Sequence, residues 1–142
     1  MKPRLLLIED NVERIAQFRN WLDETEFVLI EASSGGRAKG ILRKGATDGI
    51  AGIMLDHDLE QQPVIENDLK MSSSHLMNAM LLTIPRFVPV LIHSMNISKP
   101  IHMERQLKSA GFSVTRINMD NLTRSSFHEW LQDVRDNWDD SA

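Results

Sequence analysis

Five short runs of branched apolar residues recur along the chain, each bounded by polar positions: Leu5 to Ile8, Phe27 to Ile30, Ile50 to Leu55, Val88 to Ile92 and Phe112 to Ile117. Runs of this length and kind read as strands buried on both faces. Between them the apolar period lengthens to that of a helix. Asn11 caps a first helix carrying Ile15, Phe18 and Leu22. A second starts near Ser33 or Ser34, carries Ala38, Ile41 and Leu42, and stops at Gly45. Ser72 to Ser74 precede a third with Leu76, Met77, Met80, Leu81 and Ile84, closed by Pro85. Ser98 and Pro100 open a fourth, with Met103, Leu107 and Ala110 on one side and Gly111 beyond its end. Ser126 and Glu129 form a capping box for the last, whose stripe is Phe127, Trp130, Leu131, Val134 and Trp138; residues 139–142 follow as a frayed polar tail. Trp21 and Trp130 read as core or boundary aromatics.

Strands that alternate with helices pair in parallel through right-handed crossovers. The expected fold is therefore α/β: a doubly wound five-stranded parallel sheet with helices on both faces, for which the flavodoxin-like order 2-1-3-4-5 is one of the common arrangements. Residues 1–142 make one domain, a size that buries a full core. Glu60 to Lys70 is mostly polar and longer than such a connection needs, so it reads as a surface loop or a lid over the crevice.

The composition removes several chemistries. There is no cysteine, which excludes thiolate nucleophiles, cysteine zinc sites and iron–sulfur clusters and suits a reducing cytosol. A net charge of -4 is mild and of the wrong sign for a protein devoted to gripping phosphate backbones. The early apolar run ends at Glu9 and Asp10, far short of a signal core or membrane span, so a cytoplasmic protein with no membrane partner is expected.

Polar groups then cluster at the strand ends. The first strand ends in Glu9 and Asp10, the third in Asp56, His57 and Asp58, and the fourth in His93, Ser94 and Asn96. In the expected order these three strands are neighbours, and the working crevice of such a sheet lies at their carboxyl ends. A single acid after a strand is ordinary, but three strands ending in acid or imidazole at one rim are hard to explain by solubility alone. Crowded carboxylates repel one another unless a cation sits among them, which points to a hard divalent ion, magnesium foremost. Alternation puts Asp56 and Asp58 on one side with Ser94 and Asn96, and His57 on the other with His93 if the strands are in that register. An acid and hydroxyl pocket beside a histidine pair follows. Two imidazoles titrating near neutrality can divide the roles of general base and general acid in phosphoester cleavage; the plainer alternative is that each only bonds nearby backbone.

The chain resembles the receiver domains of bacterial response regulators, the chemotaxis-regulator fold, over nearly its whole length. Residues 6–11 (Leu-Leu-Ile-Glu-Asp-Asn) are similar to the acidic-pair strand, 54–56 (Met-Leu-Asp) to the phosphoacceptor strand, and 89–94 (Pro-Val-Leu-Ile-His-Ser) to the strand ending in the switch hydroxyl. The resemblance implies that Glu9 and Asp10 hold magnesium, Asp56 is the phosphorylatable carboxylate, Asp58 lends its backbone carbonyl to the metal, and Ser94 contacts the phosphoryl group. Receivers also carry a Lys-Pro pair at the end of strand five. Here residues 114–118 read Val-Thr-Arg-Ile-Asn, and Arg116, a planar fork rather than a compact ammonium, is the cation of that stretch. Lys99-Pro100 has the right letters after the wrong strand. Residues 55–59 (Leu-Asp-His-Asp-Leu), with His93-Ser94-Met95-Asn96 and Met103-Glu104, resemble more closely the atypical cyclic-phosphate-processing receivers, which implies phosphoesterase chemistry on cyclic phosphate ends of nucleotides or RNA.

Two functions are weighed on these residues. As a metal-dependent phosphoesterase, the chain uses Asp56, His57, His93, Ser94 and Asn96 for chemistry and Glu9, Asp10, Asp56 and Asp58 around a divalent cation, on a phosphoryl group or cyclic-phosphate end. As a module of two-component signalling, it docks a signalling protein, with or without phosphorylation of Asp56. A degenerate receiver serving only as a homodimer is the third option.

Overall fold

The computed structural model describes residues 2–43, 49–56, 76–94 and 102–141. Five parallel strands form a single sheet: β1 (Arg4–Ile8), β2 (Val28–Ala32), β3 (Ile50–Asp56), β4 (Val90–Ser94) and β5 (Val114–Asn118). Their order is β2-β1-β3-β4-β5, the flavodoxin-like arrangement. The helices are α1 (Val12–Leu22), α2 (Gly35–Arg43), α3 (described over 76–83), α4 (His102–Ser109) and α5 (Arg124–Ser141). They divide between the two faces, because successive strand residues point to opposite sides of the sheet. Leu5, Leu7, Met54 and Leu91 pack against Phe18 and Trp21 of α1 and Phe127, Trp130, Leu131 and Val134 of α5. Leu6, Ile8, Ile53, Leu55 and Ile92 pack against α2, α3 and α4 through Ala38, Leu42, Met77, Met80, Met103 and Leu107.

Local signals set most helix ends. Asn11 Oδ1 accepts the Arg14 N–H at 3.0 Å, and Ser34 Oγ accepts the Arg37 N–H at 3.1 Å, so both side chains satisfy donors of a first turn. Gly111, at φ 101°, closes α4: its N–H reaches Lys108 O at 3.0 Å and the Phe112 N–H reaches Leu107 O at 3.0 Å, the paired bonds of a Schellman motif. The expected stop at Gly45 and the openers Ser72 to Ser74, Ser98 and Pro100 lie outside the described residues, as does the candidate lid at Glu60 to Lys70.

Three expectations change. The box opening α5 is not Ser126 with Glu129. Thr123 Oγ1 accepts the Ser126 N–H at 3.1 Å while the Thr123 N–H donates to Ser126 Oγ at 2.8 Å, so the reciprocal pair sits three residues earlier and the helix begins at Arg124. At the other end α5 runs on to Ser141, so residues 139–141 continue the helix instead of fraying after Trp138. The later strands also start and end further along than their apolar runs. β4 begins after Pro89, because Val88, though buried, closes a turn with its N–H on Pro85 O at 3.1 Å. His93 and Ser94 are therefore strand residues.

Candidate metal centre

The carboxyl ends of β1, β3 and β4 carry the centre. Glu9 follows β1 and keeps the strand direction, its N–H donating to Ala32 O of β2 at 3.0 Å. Asp56 is the last residue of β3, and its Cα partner across the ladder is His93. Leu7, Met54 and Leu91 face α1 and α5, so two residues further on Glu9, Asp56 and His93 point to that same side. All three are fully buried. Their ligating atoms lie within 4.8 Å of one another.

This register corrects the expected division of the site. The predicted histidine pair required His93 to face away from Asp56. Pairing of Asp56 with His93 shifts the assumed alignment by one residue, and in a strand one residue changes the face. His93 thus joins the acids: its Nε2 lies 2.7 Å from Glu9 Oε2, one proton bridging imidazole and carboxylate. His57, Asp58 and Asn96 lie outside the described residues. Ser94 ends β4 with its Cα in register with Asn118.

Charge around Glu9 is balanced by several groups. Burial pushes its carboxyl above the usual range, opposed by the Asn11 N–H, a hydrogen bond with Asp56 and the Arg14 guanidinium, while the charge of Asp10 adds to the rise. The Asn11 N–H donates to Glu9 Oε1 at 3.0 Å, so the residue that caps α1 through its side chain also holds the acid through its backbone. Arg14, one turn along, brings Nη1 to 3.7 Å from Glu9 Oε1 and 3.9 Å from Asp56 Oδ1. Asp10 stands exposed at the solvent edge of the group. On the inner side the Phe18 ring lies 5.3 Å from the His93 ring, fixing the imidazole from below.

Sequence reasoning missed Arg14. The cation expected from the sequence is Arg116, near the end of the fifth strand. Arg116 is in register with Ile92 and so faces the α4 side, with Nη1 3.8 Å from Glu104 Oε2. Arg116 therefore does not supply charge at the acids; Arg14 does. The signal was present in the spacing, since a residue three after an N-cap sits on the first turn of a helix that begins at the strand ends.

The donor set suits a divalent cation. Two buried carboxylates on adjacent strands, with Asp10 beside them, supply hard oxygen ligands, and the Arg14 guanidinium stands nearly 4 Å from both carboxylates. Among the described residues no helix is long and apolar enough to cross a membrane.

No family model matches the chain, and no curated protein matches it. Solved structures do. A CheY-like receiver domain from Methanospirillum hungatei superposes with TM-score 0.69 at 11% identity, covering 99% of each chain. The response regulator domain of Thermotoga maritima CheB matches with TM-score 0.63 at 13% identity over 96% of each chain. The receiver domain of a Pseudomonas aeruginosa sensor histidine kinase, which has a magnesium ion coordinated in its active-site cleft, matches with TM-score 0.63 at 16% identity, covering 93% of this chain and 96% of that one. A de novo designed Rossmann 2x3 protein matches with TM-score 0.59 at 17% identity, covering 93% and 90%, so likeness of this grade speaks of architecture and not of chemistry. Sheet order, helix placement and these superpositions together give the chain the CheY-like receiver fold.

Proposed function

We propose that residues 1–142 act as one receiver-like domain that binds a divalent cation at Glu9 and Asp56, with Asp10 at its mouth, and through it engages a phosphoryl group or phosphoester. The observation that carries this reading is the burial of Glu9, Asp56 and His93 within 4.8 Å of one another at the carboxyl ends of three neighbouring strands. A bound cation would polarise a phosphoryl oxygen and neutralise its charge. The chain's own groups do the rest: Arg14 adds positive charge on the α1 side, and the Asn11 N–H and His93 hold the Glu9 carboxylate in place. The finer assignment is cyclic-phosphate processing, with Asp58, Ser94, His57 and Asn96 completing the set that the resemblance implies. Its support is the match of residues 55–59 and 93–96 to that pattern. A cytoplasmic setting belongs to the same proposal.

Thermal unfolding with and without magnesium or manganese is the first test. A cation at one hundred times its Kd adds about 2.7 kcal/mol, roughly 10 °C for a domain of this size. Glu9→Gln abolishes that rise and leaves the cation-free protein at least as stable, because a buried acid beside a second acid is removed. No cation-induced rise in the wild type defeats the reading. Beryllofluoride with magnesium then reports phosphoryl binding through amide shifts at Ser94. Cleavage of a 2′,3′-cyclic nucleotide, lost in His93→Ala with the fold retained, separates a phosphoesterase from a signalling module.

A further inference from the structure

Among the described residues, the centre holds a ligand type that a hard-oxygen cation site does not call for. His93 is fully buried and is Cα-paired with Asp56, and its Nε2 is 2.7 Å from Glu9 Oε2. Two ligand atoms on one ion with bonds of about 2.1 Å stand about 3.0 Å apart at right angles and about 3.4 Å apart in a tetrahedral set. At 2.7 Å the nitrogen and oxygen share a proton where an ion would sit, and they need to part by only a few tenths of an ångström to receive one. Magnesium keeps oxygen ligands and several waters, whereas zinc takes oxygen and imidazole together, and manganese, though it prefers oxygen, stands at the start of the first-row series for nitrogen-bearing sites. The Phe18 ring, 5.3 Å away, and the β3–β4 ladder keep His93 aimed at the acids.

We infer that His93 Nε2 is itself a metal ligand, making Glu9, Asp56 and His93 a two-carboxylate, one-imidazole site for a first-row divalent ion, zinc or manganese, rather than an oxygen-only magnesium site. This inference rests on the cation reading above and goes beyond it in the ligand and in the ion. Nearly every nitrogen- or oxygen-bearing site prefers manganese and zinc to magnesium to some degree, so an affinity ratio alone decides nothing. Direct detection of the metal–nitrogen bond does.

Pulsed electron paramagnetic resonance of the manganese-loaded protein reads this bond. The expected result is nitrogen-14 modulation from one directly bound imidazole in the wild type. It should vanish in His93→Gln, together with a roughly tenfold or greater fall in the preference for manganese over magnesium. Histidine-labelled protein titrated with zinc gives a second measurement that needs no variant: of the five histidines, the assigned Nε2 of His93 should shift on metallation. Manganese bound without nitrogen modulation, modulation that survives in His93→Gln, or a zinc titration that leaves His93 Nε2 unmoved would each overturn the inference while the cation reading stands. Failure of every divalent ion to bind would overturn both.

Discussion

The two faces of the sheet are built from different materials. On the α1 and α5 side the core is aromatic: Phe18 stacks edge-on with Trp21 at 5.7 Å and with Phe127 at 5.3 Å, and Phe127 stacks on Trp130 at 6.0 Å. On the α2, α3 and α4 side the described core is aliphatic, made of leucine, isoleucine, valine, alanine and methionine, with Phe112 as its one ring among the described residues. Glu9, Asp56 and His93 all turn toward the aromatic side. Flat, rigid rings hold a neighbouring imidazole in one orientation, whereas methionine adapts to whatever it meets. The face that carries the centre is therefore the one whose packing leaves least freedom, as a preorganised ligand set requires.

The largest expected effect tests this contrast. Phe18→Ala should cost about 3–5 kcal/mol by denaturant unfolding, and it should also weaken cation binding because the His93 ring loses its wall. Met80→Ala, its counterpart on the aliphatic face, should cost about 2–5 kcal/mol and leave cation affinity unchanged. Equal effects of the two on cation binding would end the distinction between the faces.

A smaller effect is expected where α5 meets the sheet. A register shift between Arg4 and Leu5 accompanies the pairing of Leu5 with Gly52. A Cβ on Gly52 would lie 2.9 Å from Leu5 Cδ2, 3.0 Å from Trp130 Cη2 and 3.2 Å from Val134 Cγ2. The leucine methyl can move, but the indole is wedged in its stack. Gly52→Ala should cost about 1–3 kcal/mol, measured by unfolding, through displacement of α5.

Asn11→Ala comes next, at about 1 kcal/mol for the lost cap of α1. The Asn11 backbone bond to Glu9 survives this substitution, so cation binding should change little; a large loss would show that the position of α1 governs the acids. The smallest effect belongs to Glu26 on the aromatic side. Burial pushes its carboxyl up, but the hydrogen bond and charge of Arg135, with its own backbone N–H, bring it below the usual value. A carboxylate lowered in the folded state stabilises above its unfolded pKa and loses that contribution as pH falls through the folded value. Glu26→Gln should therefore cost less than about 1 kcal/mol at neutral pH, and the difference from wild type should disappear in acid.

Composition and spacing made the strands, the helices and their alternation readable. Long apolar runs and helical periods are local properties, and a parallel α/β alternation admits few topologies. The caps at Asn11, Ser34 and Gly111 were equally legible, because each acts within four residues of itself. Thr123 escaped notice because a threonine paired with a serine is a weaker signal than a serine followed by glutamate.

The primary structure by itself thus determined the α/β architecture and which three strand ends bear acid or imidazole. Only the tertiary structure decided how those ends meet. The side on which His93 stands depends on how β3 slides along β4, and a one-residue slip, invisible in either apolar run, moves a side chain across the sheet. That slip joined His93 to Glu9 and Asp56, and the placement of α1 over β1 chose Arg14 over Arg116 as their cation.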